Sequence, residues 1–223
     1  MHNDFRKILI DNSMILFIRN SRYFDKFLKK VARKESSRLF KMVHIYLIVL
    51  FEAFNKDFFT TLLSTKPNCM KTASKKLNYE EIIGFESIEE LHEFLALQIT
   101  DQFGRQNIDQ FAKFVNTKFK LDVTSKFKDW NKLREKYYCR NLVVHNKSRV
   151  SNDYIKLING FGPNDIDKEL KIDYPYISDC INHIWKYIEL IFEEIAIKFK
   201  LKITPKNVFD LDFPEPLLFE DLE

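Results

Sequence analysis

Arginine and histidine stand five positions apart in the stretch Arg140-Asn141-Leu142-Val143-Val144-His145-Asn146-Lys147. An arginine is a permanent planar cation that grips phosphate oxygens. A histidine gives or takes a proton near neutral pH. With the 2′-hydroxyl of RNA as nucleophile, those two groups can cleave a strand without a metal ion. Asn141 and His145 are four apart and share a face if the segment is helical. Arg140 and His145 are then about 140° apart round the axis. Three routes could bring them together: the long arginine side chain swings back, the helix distorts, or two copies pool their groups across a dimer. Asn146 and Lys147 follow and offer phosphate contacts, although Lys147 reads first as a solvated helix end.

A second candidate lies in Leu50-Phe51-Glu52-Ala53-Phe54. Glu52 sits among Leu47, Ile48, Phe51 and Phe54, where a carboxylate is costly unless paired. Two readings stay open. Either Glu52 pairs with Arg140 and fixes its side chain, or the helix turns it to solvent.

The Arg140 to Lys147 block resembles the signature of the HEPN superfamily, an Arg, a spacer of four to six residues and a His, with a polar residue after the Arg. The resemblance covers roughly residues 36–200, and many members carry an acid in an apolar first helix, as Glu52 would be. It implies a compact bundle of four or five helices, usually a homodimer with the two motifs facing across a cleft. It also implies a metal-independent ribonuclease that acts as a toxin or in anti-phage defence. Arg140 and His145 would be catalytic, with His145 moving the proton and Arg140 steadying the scissile phosphate. Asn141, Glu52 and Asn146 would support them, and Lys147 would touch substrate. The products would carry 2′,3′-cyclic phosphate and 5′-hydroxyl ends. The partners implied are RNA, with tRNA among the candidates, a second copy, and an antitoxin or defence-system protein. Some members carry a Tyr two places after the His, modified by a partner nucleotidyltransferase. Lys147 stands at that place, so the chain does not support that form of control. The alternative is a catalytically silent module of the same kind that binds RNA, nucleotides or a protein.

The elements that must hold these groups read as helices. Among 223 residues there are 22 Phe but only 4 Gly and 6 Pro, a scarcity of breakers that favours long helices. The expected fold is all-α: an up-and-down bundle of four to five core helices over 36–200, a basic helical extension over 1–35 and an acidic-hydrophobic tail over 201–223. One long helix begins at Ser36 and runs to about Leu63, with its middle apolar nearly all round. Ser87 to Glu90 and Asn107 to Gln110 carry N-terminal capping patterns, opening helices to about Phe103 and Phe119. Ser125 is expected to cap the helix that runs through Phe127 and Trp130 into the motif. A last helix spans about Tyr176 to Lys200.

The net charge of +4 is uneven. Residues 1–41 carry 11 Lys and Arg against 4 Asp and Glu, whereas residues 206–223 carry one Lys and 6 acids. The basic end suits either a solvated helical face or nucleic acid. The acidic tail suits docking in cis or on a partner. Cys69, Cys139 and Cys180 form no CxxC pair, which argues against a zinc site or a disulfide framework. No metal, cofactor or nucleotide-binding motif appears. His2, His44, His92 and His183 read as isolated, and Glu193 and Glu194 as solvated charges. No signal peptide or membrane span is evident, so a cytoplasmic location is the expectation.

Overall fold

The computed structural model describes residues 37–70 and 77–200. The expected basic extension and the acidic tail lie outside the described residues. Eight α-helices appear among them, with no strand: α1 (Ser37–Thr65), α2 (Tyr79–Ile83), α3 (Ile88–Thr100), α4 (Ile108–Phe119), α5 (Val123–Lys126), α6 (Trp130–His145), α7 (Asn152–Ile158) and α8 (Tyr174–Phe199). Turns of 3-10 helix follow α1 at Pro67–Met70 and α3 at Asp101–Arg105. The all-α helical bundle read from the sequence is the observed fold class.

Phenylalanine rings fill the centre. Phe54, Phe58 and Phe59 of α1 are fully buried. Phe58 meets Phe192 of α8 edge-on at 4.8 Å, and Phe59 touches Phe111 and Phe119 of α4. Each such ring contributes roughly 1.5–3 kcal/mol through burial alone, and edge-to-face pairing adds to that. The contacts fix helix direction. His44 with Tyr176, Phe51 with Tyr187 and Phe58 with Phe192 rise together in number, so α1 and α8 run parallel. Phe127 with Tyr187, Asp129 with His183 and Lys136 with Asp179 run in opposite senses, so α6 is antiparallel to α8. The helix that carries the Arg/His motif packs against both of the two longest helices, which also touch each other.

Several boundaries differ from expectation for local reasons. The Asn107 and Gln110 side chains cap each other's backbone reciprocally, as the pattern predicts. Ser87 accepts from the Glu90 amide, but the Glu90 carboxylate turns to the Glu86 amide instead of closing the box. Ser125 does not cap the motif helix. Asp122 accepts from the amides of Thr124 and Ser125 and starts the four-residue α5. Phe127 is extended, and α6 begins only at Trp130, after Asp129. α8 starts earlier than expected, at Tyr174. Pro175 falls in its first turn, where backbone N–H groups have no helical acceptor to lose. The middle of α1 is not buried all round, since Met42, Tyr46 and Val49 are exposed.

Candidate functional site

Arg140 lies in the last third of α6, an unbroken α-helix to His145. No helical distortion brings the guanidinium to the imidazole. Instead Arg140 reaches across to α1, where its Nη2 donates to Glu52 Oε1 at 2.5 Å. This is the pairing left open by the sequence. Tyr137, one turn earlier on α6, donates its hydroxyl to the same Glu52 oxygen at 2.7 Å and lies within 3.1 Å of the Gln106 carbonyl. The Arg140 guanidinium also sits 5.2 Å from the Tyr137 ring centroid, a cation–π distance. Burial and the bond to Glu52 hold the Tyr137 phenol well above its ordinary pKa, so it stays a donor. Two donors thus converge on one carboxylate oxygen and lock the arginine stem. The Arg140 Nε is buried without a hydrogen-bond partner. The side chain as a whole keeps 21% of its surface exposed, so part of this cation stays open to solvent.

Below this cluster is a cavity of about 20 Å³ lined by Glu52, Asn55, Gln106, Asn107 and Tyr137 with Phe51, Phe103, Ile108 and Phe111. Its size matches one water molecule. Among the described residues no group of three or more His, Cys, Asp and Glu side chains is placed to hold a metal ion.

His145 is the last residue of α6 and is exposed. Asn141, half-buried, lies one turn before it on the same face. Neither side chain makes a hydrogen bond among the described residues. The polypeptide after His145 is held firmly. Lys147 and Ser148 adopt left-handed backbone angles, with φ of 51° and 62°, and the Ser148 amide returns to the Leu142 carbonyl at 2.9 Å. The Asn146 amide side chain donates to the Arg149 carbonyl at 2.7 Å. Its donor is therefore spent on the turn, and its role is to shape the helix end. Segment 167–170 then straps over 148–150 through backbone bonds from Val150 to Lys168, Asp167 to Val150 and Leu170 to Ser148. An isolated antiparallel bridge joins Arg149 to Glu169. Lys147 is exposed beside it.

Within one chain, then, Arg140, Glu52 and Tyr137 come together, Asn141 and His145 lie on the last turn and a half of α6, and Lys147 lies in the turn beyond it. The first group faces α1; the second faces solvent.

The sequence reading missed a buried polar network on the other flank of α6. Glu135 accepts from the hydroxyls of Tyr154 at 2.9 Å and Tyr176 at 3.1 Å. Lys136 bridges Glu135 at 3.2 Å and Asp179 at 3.3 Å and rests 3.6 Å over the Tyr176 ring. His183, expected to be isolated, lies 3.4 Å from Asp179 and 3.8 Å from Asp129. Glu194 likewise pairs with Lys126 at 2.6 Å. The available signal was the spacing of Asp179 four before His183, on one face of α8. His44 completes this flank. Burial, and then the charge of Lys136, lower its pKa to about 4, with the Lys136 backbone opposing and the Arg140 charge adding a smaller push downward. Neither ring nitrogen has a partner of hydrogen-bond geometry, so the imidazole is a neutral core ring packed edge-on against Tyr176. Glu135 and Lys136 are buried and held by Tyr154, Tyr176 and Asp179, which marks a structural network.

No described helix is long and apolar enough to cross a membrane. Comparisons of the chain with family models, with curated proteins and with solved structures gave no match.

Proposed function

We propose that this chain is a metal-independent endoribonuclease of the HEPN kind, acting in a toxin–antitoxin or anti-phage defence setting. The observation that carries the reading is a partly open guanidinium, fixed by Glu52 and Tyr137, five residues before an exposed imidazole on one rigid helix. A fixed cation stabilises charge that builds on a phosphate without reorganising. An exposed imidazole moves protons. In the proposed step the ribose 2′-oxygen attacks its own phosphorus and the bond to the 5′-oxygen breaks. His145 takes the 2′-hydroxyl proton or delivers one to the leaving 5′-oxygen. One imidazole does one of these tasks per step, so a homodimer, supplying a second His145, completes the pair. DNA, lacking the 2′-hydroxyl, is not a substrate. Lys147 adds a phosphate contact at the mouth of the site, and Asn141 orients the ring or the phosphate.

A second reading is a silent module that binds RNA, nucleotides or a protein. The occupied state of Arg140 favours it: Glu52 already neutralises much of the charge that a phosphate would meet. The full-length protein, incubated with tRNA or total RNA in EDTA beside Arg140→Ala and His145→Ala, separates the two. Cleavage lost in both variants supports the nuclease. Absence of cleavage, with RNA binding retained in all three proteins, supports the module.

A further inference from the structure

The short helix α2 buries none of its residues. Its Tyr79, Ile82 and Ile83 are 76, 45 and 62% exposed, and Ile88, at the start of α3, is 61% exposed. A reciprocal capping box between Asn78 and Glu81 still orders the helix. Around these apolar side chains stand Glu80, Glu81, Glu86, Glu89, Glu90 and Glu93, all exposed. Residues 78–93 hold six acids and no Lys or Arg, and none of the six carboxylates joins an ion pair among the described residues. A surface that is both apolar and strongly anionic fits a partner that is both apolar and cationic.

The chain carries such a segment. Residues 1–36 hold nine Lys and Arg against four Asp and Glu, a net +5. Within them Tyr23, Phe24, Phe27 and Leu28 recur at helical spacing, interleaved with Arg22, Lys26, Lys29 and Lys30. Reach is not limiting. Thirty-six residues span about 54 Å even if wholly helical, while a bundle of this size is roughly 40 Å across. The segment joins the bundle at Ser37, the first residue of α1.

We infer that the α2 face and the first turn of α3 are the docking site for residues 1–36 of the same chain. The aromatic and leucine side chains of that segment cover Tyr79, Ile82, Ile83 and Ile88, and its cations lie among the six glutamates. The inference stands on the exposed face and on charge complementarity, independently of any nuclease activity.

Photo-cross-linking in the full chain tests it. A benzophenone side chain is placed at Ile83, with the same group at exposed Phe161 on the α7–α8 loop as control, in a mixture of ¹⁴N- and ¹⁵N-labelled protein. The expected result is cross-links from position 83, but not from 161, to peptides within residues 1–36, without isotope mixing. Reversing Glu80, Glu86, Glu89 and Glu93 to Lys, which leaves the capping carboxylates of Glu81 and Glu90 in place, lowers that yield by roughly five-fold or more, and raised salt lowers it too. These residues are exposed and bury no surface, so circular dichroism should report an intact fold. Cross-links only to residues 201–223, to a second copy or to another protein would overturn the assignment, as would no cross-links at all. A yield unchanged by charge reversal would overturn the electrostatic part.

Discussion

Replacing His44 with Leu should flatten the acid side of the stability profile. In the native state burial, with Lys136 and Arg140 nearby, holds the His44 pKa at about 4, while an unfolded histidine titrates near 6.5. Above pH 6.5 the ring is neutral in both states and contributes no pH dependence. Between 6.5 and 4 the unfolded chain binds the proton and the native chain does not, so stability falls as the pH falls. At 1.36 kcal/mol per pKa unit, the full loss is about 3 kcal/mol, roughly three quarters of it developed by pH 4.5. The variant cannot bind this proton. It sacrifices no hydrogen bond either, because both ring nitrogens lack partners. Urea unfolding followed by circular dichroism at pH 7 and pH 4.5 would measure the change in each protein. Carboxylate titration lowers stability in both and cancels in the difference. Wild type should lose about 2–3 kcal/mol more than His44→Leu over this interval. Equal losses, or a native-state pKa near 6.5 by NMR, would refute the reasoning.

The Glu52–Arg140 pair predicts coupling: in a double-mutant cycle with Glu52→Gln and Arg140→Met, thermal unfolding should give an interaction of about 1–2 kcal/mol, between surface and buried pairs, and a value near zero would mean the contact is incidental. Gly162→Ala should destabilise by about 2–3 kcal/mol in denaturant titration, since its φ of +145° strains an L side chain and a Cβ would stand 3.0 Å from Glu135 Cγ. Asn107→Ala should cost about 1 kcal/mol by removing one half of a closed capping box, and a neutral effect in the same measurement would place the start of α4 under other control.

What the sequence made legible was what periodicity and caps encode. The phenylalanine stripe of α1, the Asn107 cap and the long apolar face of α8 each repeat a local rule, so the bundle was readable without knowledge of what packs on what. The ion pair of Glu52 with Arg140 was one of two readings, because cost of burial argues that a carboxylate needs a partner but cannot say whether it is buried. The Glu135–Lys136–Asp179 network was invisible. Its members come from α6, α7 and α8, and each alone looks like a solvated charge. The strap of residues 167–170 over 148–150 is made of backbone bonds between irregular segments and leaves no pattern. The break between α5 and α6 was missed because Asp122 competes as a cap with Ser125, and a carboxylate that meets two amides at once prevails. The exposure of Met42, Tyr46 and Val49 shows the limit of composition: an apolar stretch says that a helix has a core face, not how many neighbours surround it.

RNA chemistry at Arg140 and His145 leaves its mark on the ends it makes. End-group analysis of an RNA incubated with the full chain in EDTA reads that mark. The expected ends are 2′,3′-cyclic phosphate and 5′-hydroxyl, lost with His145→Ala and with a single 2′-deoxy substitution at the cut. Intact RNA, 3′-hydroxyl and 5′-phosphate ends, or products unchanged by His145→Ala would contradict that chemistry.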